Sequence, residues 1–360
     1  MNADIIIIGG GIAGLSAAAR LSADASVILL EAEDSLGYHT SGRSAALYEE
    51  HYGLPSTVAL NRASKAYLTE AQGGYLSPRG LLIIAREDEE AAFRKDAEAL
   101  HADDIPLDQA SAMVPVIDRE VTAFAAYHEG AFDIDTDRLM QDFRREILHR
   151  GGKVLTKHRV NGLQREGDGW QVSAGAETLR CAKVVNATGA WADGIAELAG
   201  LPPVGIVPHR RSMARVPAPE GQDITHWPIF FGINETWYAK PDAGALIISP
   251  ADETPVAPHD AWAEDMTLAE GIARYEAMVT TPVTRLIASW AGLRSFSPDR
   301  ALVLGPDPQE PSFVWSAAQG GYGFQTAPAA SQLVADLTFG RNPSLDPAAV
   351  AALTVARFER

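Results

Sequence analysis

A chain of 360 residues with one cysteine, Cys181, cannot close an internal disulfide, unlike small secreted scaffolds. Basic residues are also short: 30 Lys and Arg face 47 Asp and Glu, a formal net charge of −17. Nucleic-acid backbones are held by clustered Lys and Arg, so no nucleic-acid partner is expected. No apolar run reaches the roughly 18 residues of a spanning helix, so no integral membrane segment is expected. No basic leader-like stretch precedes the first apolar run, so no secretory signal is expected. The nine histidines lack ligand-like spacing, which argues for no metal. Repeats and low-complexity blocks are missing. What is left is a cytoplasmic protein, with at most peripheral membrane contact, long enough for two lobes.

What is present concentrates first at the N-terminus. Asp4-Ile5-Ile6-Ile7-Ile8 is a short β-branched run that suits a buried strand. Gly9, Gly11 and Gly14 follow in G-x-G-x-x-G spacing, then Ile12 to Leu21 reads as a helix. A second apolar run, Val27 to Leu30, ends in Glu31. This is the order of a dinucleotide-binding βαβ unit. The glycines permit a tight turn, close approach to a pyrophosphate, and close helix–strand contact. The helix N-terminus, Gly11 to Gly14 with Ile12 and Ala13, offers free N–H groups to phosphates. Glu31, followed by Ala32, stands where an acid accepts hydrogen bonds from ribose hydroxyls.

That unit alone does not separate FAD from NAD. Three later stretches favour FAD. Ser41-Gly42-Arg43-Ser44-Ala45-Ala46 follows the acid closely and can lie along a pyrophosphate and isoalloxazine. Asn186-Ala187-Thr188-Gly189-Ala190-Trp191 is a second glycine-containing turn after a strand, Ala182 to Gly189. Gly320-Gly321-Tyr322-Gly323 precedes a helix expected from about Thr326 to Leu337, whose positive end can stabilise charge at a flavin edge.

Between these lie helices at 57–72, 87–101 and 136–150, with strand texture at 75–84 and 124–127. From Pro202 to about Gly292 the pattern turns Pro-rich and strand-like, with one helix at Leu268 to Met278. Strand–glycine–helix junctions near both ends imply a discontinuous nucleotide domain. The expected fold class is α/β (α+β overall): a Rossmann-like FAD-binding domain with an inserted, mostly antiparallel β-sheet substrate domain. The expected division is 1–74, 134–204 and 292–360 for the first, 75–133 and 205–291 for the second.

Longer strings extend the comparison. Ile8 to Gly14, Thr40 to Ala46, Asn186 to Trp191 and Ala318 to Gly323, with Arg210-Arg211-Ser212, Tyr238 to Gly244 and Trp290 to Phe296, resemble the DAO-type FAD oxidoreductases nearly end to end. Within that family the strings are most similar to the bacterial FAD-dependent D-arginine dehydrogenases. The resemblance implies oxidative deamination of a D-amino acid: hydride passes from Cα to flavin N5, and the released imino acid hydrolyses to a 2-oxo acid. It implies that Arg211 and Arg294 hold the substrate carboxylate, with Tyr52 and Tyr238 on either side of the substrate. It places Val160 against adenine, and Gly320, Gly321, Tyr322, Gly323, Phe324 and Gln325 beside the flavin pyrimidine. An arginine fork suits these roles because it grips a carboxylate at two points and fixes its angle. No strong protein base is demanded if the amine loses its proton on binding or to water.

The sequence departs from the pattern where the side chain would lie. Leu81 stands at the family's guanidinium-binding glutamate and Leu47 at an active-site histidine; Ile229 and Phe231 fill two further pocket positions. A cationic side chain would there be desolvated without a partner. Neutral or apolar D-amino acids are therefore expected to be preferred over D-arginine, unless Glu49 turns inward as a substitute acid. The covalent flavin tether of sarcosine oxidases uses a cysteine lying elsewhere, so non-covalent FAD is expected, with Cys181 a packing residue. The electron acceptor, a quinone-like carrier or oxygen, is not encoded in spacing. The residues leave open oxidation of another small amine or 2-hydroxy acid (glycine, sarcosine or proline type), and a flavin-binding scaffold without turnover.

Overall fold

The computed structural model describes residues 2–358. The β-branched run at the N-terminus forms the strand Asn2–Ile8, fully buried from Ile5 to Ile8. It is flanked in parallel by Val27–Leu30 and by Glu177–Asn186, with Ile5 to Ile8 opposite Val27 to Leu30. Lys153–Leu155 and Phe313–Ala317 extend the parallel core on its two sides. Strands buried on both faces are continuous apolar runs rather than alternating ones, which explains the Ile and Val content here. A hairpin, Val160–Glu166 with Gly169–Ala174, and the antiparallel edge Val303–Pro306 complete eight strands. Helices Ile12–Leu21, Thr136–His149 and Gly323–Thr338 cover one face, with Leu15, Phe143 and Leu333 in the shared core.

The second sheet has nine strands, drawn from residues 81–128 and 207–296. Its pairings are antiparallel except for Ile229–Gly232 beside Leu81–Ala85. Alternation sorts its side chains by face. Leu82, Ile84, Ala214, Phe230 and Ile248 pack on the helix Asp265–Glu276, while Leu81, Ile83, Met213, Phe231 and Tyr238 share the other face. This is the expected α/β architecture with a mostly antiparallel second sheet.

Several boundaries differ from the sequence reading. The strand Ala288–Phe296 pairs with Val207–Pro217, so a domain boundary at 292 cuts through one strand of the second sheet. Backbone pairing, not composition, decides that. Leu47–Tyr48, Leu76–Pro78 and Phe132–Ile134 form a small third sheet between the two large ones, too short to leave a period-2 signature. The last long helix starts at Gly323, three residues before the expected Thr326. No helix among the described residues is long and apolar enough to cross a membrane.

Candidate active site

Every parallel strand of the first sheet that the sequence singled out ends at one cavity of about 540 Å³. Gly9 follows Ile8, Glu31 follows Leu30, Ala187 to Gly189 follow Asn186, and Gln319 to Gly321 follow Phe313–Ala317; all line it. Ligands of such sheets sit at the carboxyl ends of the strands, and this cavity does.

The cradle fits an adenine dinucleotide on its own geometry. A Cβ on Gly9 (φ +109°) would stand 2.4 Å from the Ala187 carbonyl oxygen, and one on Gly14 1.8 Å from that of Gly9. Those two glycines are required by packing. A Cβ on Gly11 would meet only Ser41 Oγ, at 3.1 Å, so its backbone faces open space for a ligand. The helix behind it has no acid in its first turn, leaving its positive end uncompensated. Glu31 accepts from Gly10 N at 2.6 Å and Glu33 N at 2.9 Å, which aims a buried carboxylate at the cavity wall. Ala32, Ser41, Ser44, Ala45, Val160, Trp191, Phe324 and Gln325 line it too. So does Arg43, whose guanidinium is committed to Tyr38, Ala261, Ala291 and Asp260.

Three expected cofactor residues lie outside the lining. Gly14 is one layer down, against Gly9. Gly42 closes a turn on Gly37, where a Cβ would sit 2.5 Å from the carbonyl oxygen. Tyr322 sets its ring against that of Tyr52, which does line the cavity, with centroids 5.3 Å apart. All three act by supporting residues that do line it.

At the other end of the same cavity stand Arg211, Arg294, Tyr52 and Tyr238. The pairing of Val207–Pro217 with Ala288–Phe296 sets Arg211 opposite Gly292 and Arg294 opposite His209, so both arginines sit on adjacent strands. Arg211 is 4% exposed; its Nη2 donates to Glu253 at 3.1 Å, while Nε and Nη1 have no hydrogen-bond partner. Arg210, by contrast, is consumed by Asp252 and Glu264. Burial alone would push the Arg294 guanidinium down, but Tyr52, Tyr238 and Glu235 more than reverse this, so it stays a full cation. Gly321 makes room for it: a Cβ there would lie 2.8 Å from Arg294 Cζ. Tyr238 Oη donates to Met213 Sδ at 3.1 Å, and burial raises the Tyr52 hydroxyl, which therefore remains protonated. Leu47, Leu81, Ile229, Phe231 and Met213 complete an apolar wall.

Glu235 was missed in the sequence, and so were the histidines that hold Glu49. Glu235, at φ +49° beside Asn234 at +53°, brings Oε2 to 3.1 Å from Tyr52 Oη and 3.9 Å from Arg211 Nη1. Nothing in its sequence context marks it; only the turn places it there. Glu49 is indeed turned in, at 2% exposure, yet its carboxylate is held by histidines: Oε1 lies 3.1 Å from His51 Nδ1 and 3.6 Å from His128 Nε2, and Oε2 is enclosed. Cys181 does not line the cavity, and burial pushes its thiol up to about 12. The native protein should therefore show no reaction with a disulfide reagent at pH 8 and one thiol after denaturation; a rapid native reaction would contradict the packing role.

Comparison with known proteins agrees with this geometry. Bovine FAD-dependent oxidoreductase domain-containing protein 1 is 24% identical over 406 residues, 93% of this chain and 81% of that one. Glycine oxidase of Pseudomonas aeruginosa is 27% identical over 377 residues, 97% of this chain and 98% of that one. The crystal structure of glycine oxidase from Geobacillus kaustophilus superposes over 100% of both chains with a TM-score of 0.85 at 21% identity. The DAO family model, described as FAD dependent oxidoreductase, matches residues 4–337. With its glycine cradle, helix ends and Glu31 converging on one cavity, the chain belongs to the DAO family of FAD-dependent oxidoreductases, and FAD is its cofactor.

Proposed function

We propose that the chain oxidatively deaminates neutral or apolar D-amino acids of medium size in preference to D-arginine. The observation that carries the reading is the pair of arginines, buried Arg211 and half-buried Arg294, on adjacent strands of the cavity that also takes the dinucleotide. Bound FAD, held without a covalent link, supplies the hydride acceptor. Arg211 Nε and Nη1 are buried donors with nothing to bind; a substrate carboxylate satisfies them and is oriented by Arg294. Tyr52 and Tyr238 flank the substrate, and their hydroxyls give a hydrogen-bonded route by which an ammonium proton leaves to water. The imino acid formed at Cα hydrolyses to a 2-oxo acid.

The D-configuration rests on the resemblance of the strings around Arg211, Tyr238 and Arg294 to D-arginine dehydrogenases; the similarity to glycine oxidases supports amine oxidation in general. Preference for a neutral side chain is supported by Leu47, Leu81, Ile229 and Phe231, and by a Glu49 carboxylate occupied with His51. A carboxylate clamp does not discriminate an amine from a hydroxyl, so 2-hydroxy acids, glycine, sarcosine and proline form the rival panel.

The experiment is anaerobic bleaching of the flavin by that panel beside D-leucine, D-methionine and D-arginine, repeated in air with peroxide detection to name oxygen or a quinone-like carrier as acceptor. A higher kcat/KM for D-arginine than for D-leucine and D-methionine, or bleaching by 2-hydroxy acids alone, overturns the reading. Glu235 gives a second expectation. Its carboxylate lies where it competes for Arg211 and Tyr52, and at 39% side-chain exposure the competition is worth about 1 kcal/mol. Glu235→Gln should lower KM roughly fivefold with kcat unchanged; a raised KM would mean that Glu235 binds substrate.

A further inference from the structure

We propose that Glu49, His51 and His128 form a divalent transition-metal site, of which Zn²⁺ is the occupant to test. Their ligand atoms, one carboxylate oxygen and two imidazole nitrogens, all lie within 4.8 Å of one another. Two of the three separations, Oε1 to His51 Nδ1 at 3.1 Å and Oε1 to His128 Nε2 at 3.6 Å, bracket the roughly 3.3 Å edge of a tetrahedron built from bonds of about 2.0–2.1 Å. The third, between the two imidazole nitrogens, is no longer than 4.8 Å.

The Glu49 carboxylate is what calls for a cation. It is 2% exposed, and Oε2 is enclosed without a hydrogen-bond partner while both histidines crowd Oε1. Enclosing an ionised carboxylate with one oxygen unsatisfied is costly. A metal on the histidine side binds one oxygen directly and reaches the other by bidentate coordination. The donor set of two imidazoles and one carboxylate suits Zn²⁺ and its neighbours and not Ca²⁺ or Mg²⁺, which take oxygen ligands.

The surroundings continue the pattern. His51 Nε2 lies 4.0 Å from Glu50 Oε1, and Glu50 is itself fixed by Arg62 at 3.0 Å and Lys65 at 3.1 Å. A carboxylate behind a ligating imidazole is the usual outer support of a zinc histidine. His101 stacks on His51 with centroids 4.0 Å apart, which further fixes the ring. Side-chain exposures of 19% for His51 and 17% for His128 leave both rings reachable from solvent.

The site would join two separate segments. Glu49 and His51 lie in the stretch that leads to Tyr52, and His128 ends the strand Phe124–His128, paired with Leu81. Metal binding would tie the Tyr52 segment to the wall of the substrate cavity, separate from the arginines that hold the carboxylate.

The test is calorimetric titration of tag-free holoenzyme, treated with a chelator and dialysed, with Zn²⁺. Flavin absorbance is followed throughout and metal content is measured after desalting. The expected result is one Zn²⁺ per chain, with a higher melting temperature. Affinity should fall about 100-fold or more in Glu49→Gln and His128→Gln and stay unchanged in His259→Gln, a histidine elsewhere on the surface. X-ray absorption at the zinc edge of the wild-type protein should show two imidazoles, a readout independent of whether the variants fold. Absence of stoichiometric uptake, equal uptake by the Glu49 and His128 variants, or a spectrum without imidazole overturns the proposal.

Discussion

Replacing Arg294 by methionine should lower kcat/KM for the best substrate by about 10²- to 10³-fold while leaving flavin content and melting temperature near those of the parent. Truncating one partner of a buried, hydrogen-bonded charge pair costs about 2–5 kcal/mol, and each 1.4 kcal/mol is tenfold. The loss should appear in both KM and kcat, because in the proposed reading the guanidinium holds the carboxylate and thereby sets the angle of Cα. Arg294→Lys should recover little, since a point charge lacks the planar fork. Arg294 packs against the Gly321 backbone and holds no structural ion pair among the described residues, so its removal leaves the second sheet intact. Arg210→Met is the contrast. It strips Glu264 and Asp252 of their shared cation, leaving Asp252, among the described residues, only its hydrogen bonds from Ser212, and should lower stability with little specific effect on KM. If Arg294→Met stayed within tenfold of the parent, or if Arg210→Met alone destroyed substrate affinity, the clamp would be assigned to the wrong residue of the sequence.

Legibility differed by what held each residue in place. Gly9, Gly11, Gly14 and Glu31 were readable because a strand, a turn and a helix follow each other within thirty residues, and local backbone geometry fixes all four. Arg211 and Arg294 were reached through matched strings; their adjacency comes from pairing between strands about 80 residues apart, which no local pattern encodes. The boundary at 292 failed for the same reason, because the strand Ala288–Phe296 runs through it. Glu235 was invisible: a half-exposed acid in a polar turn looks like any solvated residue, and only positive φ at Asn234 and Glu235 aims it at Tyr52. The histidines looked scattered because His51 and His128 lie 77 positions apart and are brought together, against Glu49 and edge to ring with each other, only by the fold.

Gly11 and Gly14 of the opening turn should behave differently when a side chain is added, and the difference separates cofactor binding from folding. Gly11 adopts φ −78° and ψ −177°, backbone open to any residue, and its Cβ would touch only Ser41 Oγ. Gly11→Leu should therefore fold, with the parent's far-ultraviolet spectrum, but project its side chain where we propose that the pyrophosphate lies. Displacing two charge-assisted hydrogen bonds costs about 3–6 kcal/mol, so FAD affinity should fall by about 10²- to 10⁴-fold and the protein should purify colourless. Its melting temperature should equal that of flavin-stripped parent and not drop below it, because the lost stability is only that contributed by ligand binding. Gly14→Ala should do the opposite. A Cβ 1.8 Å from the Gly9 carbonyl oxygen forces the helix Ile12–Leu21 off the strand Asn2–Ile8, lowering stability even without flavin. Stoichiometric flavin in Gly11→Leu would place the pyrophosphate elsewhere, and an unchanged apoprotein melting temperature in Gly14→Ala would show that the helix stands off the strand.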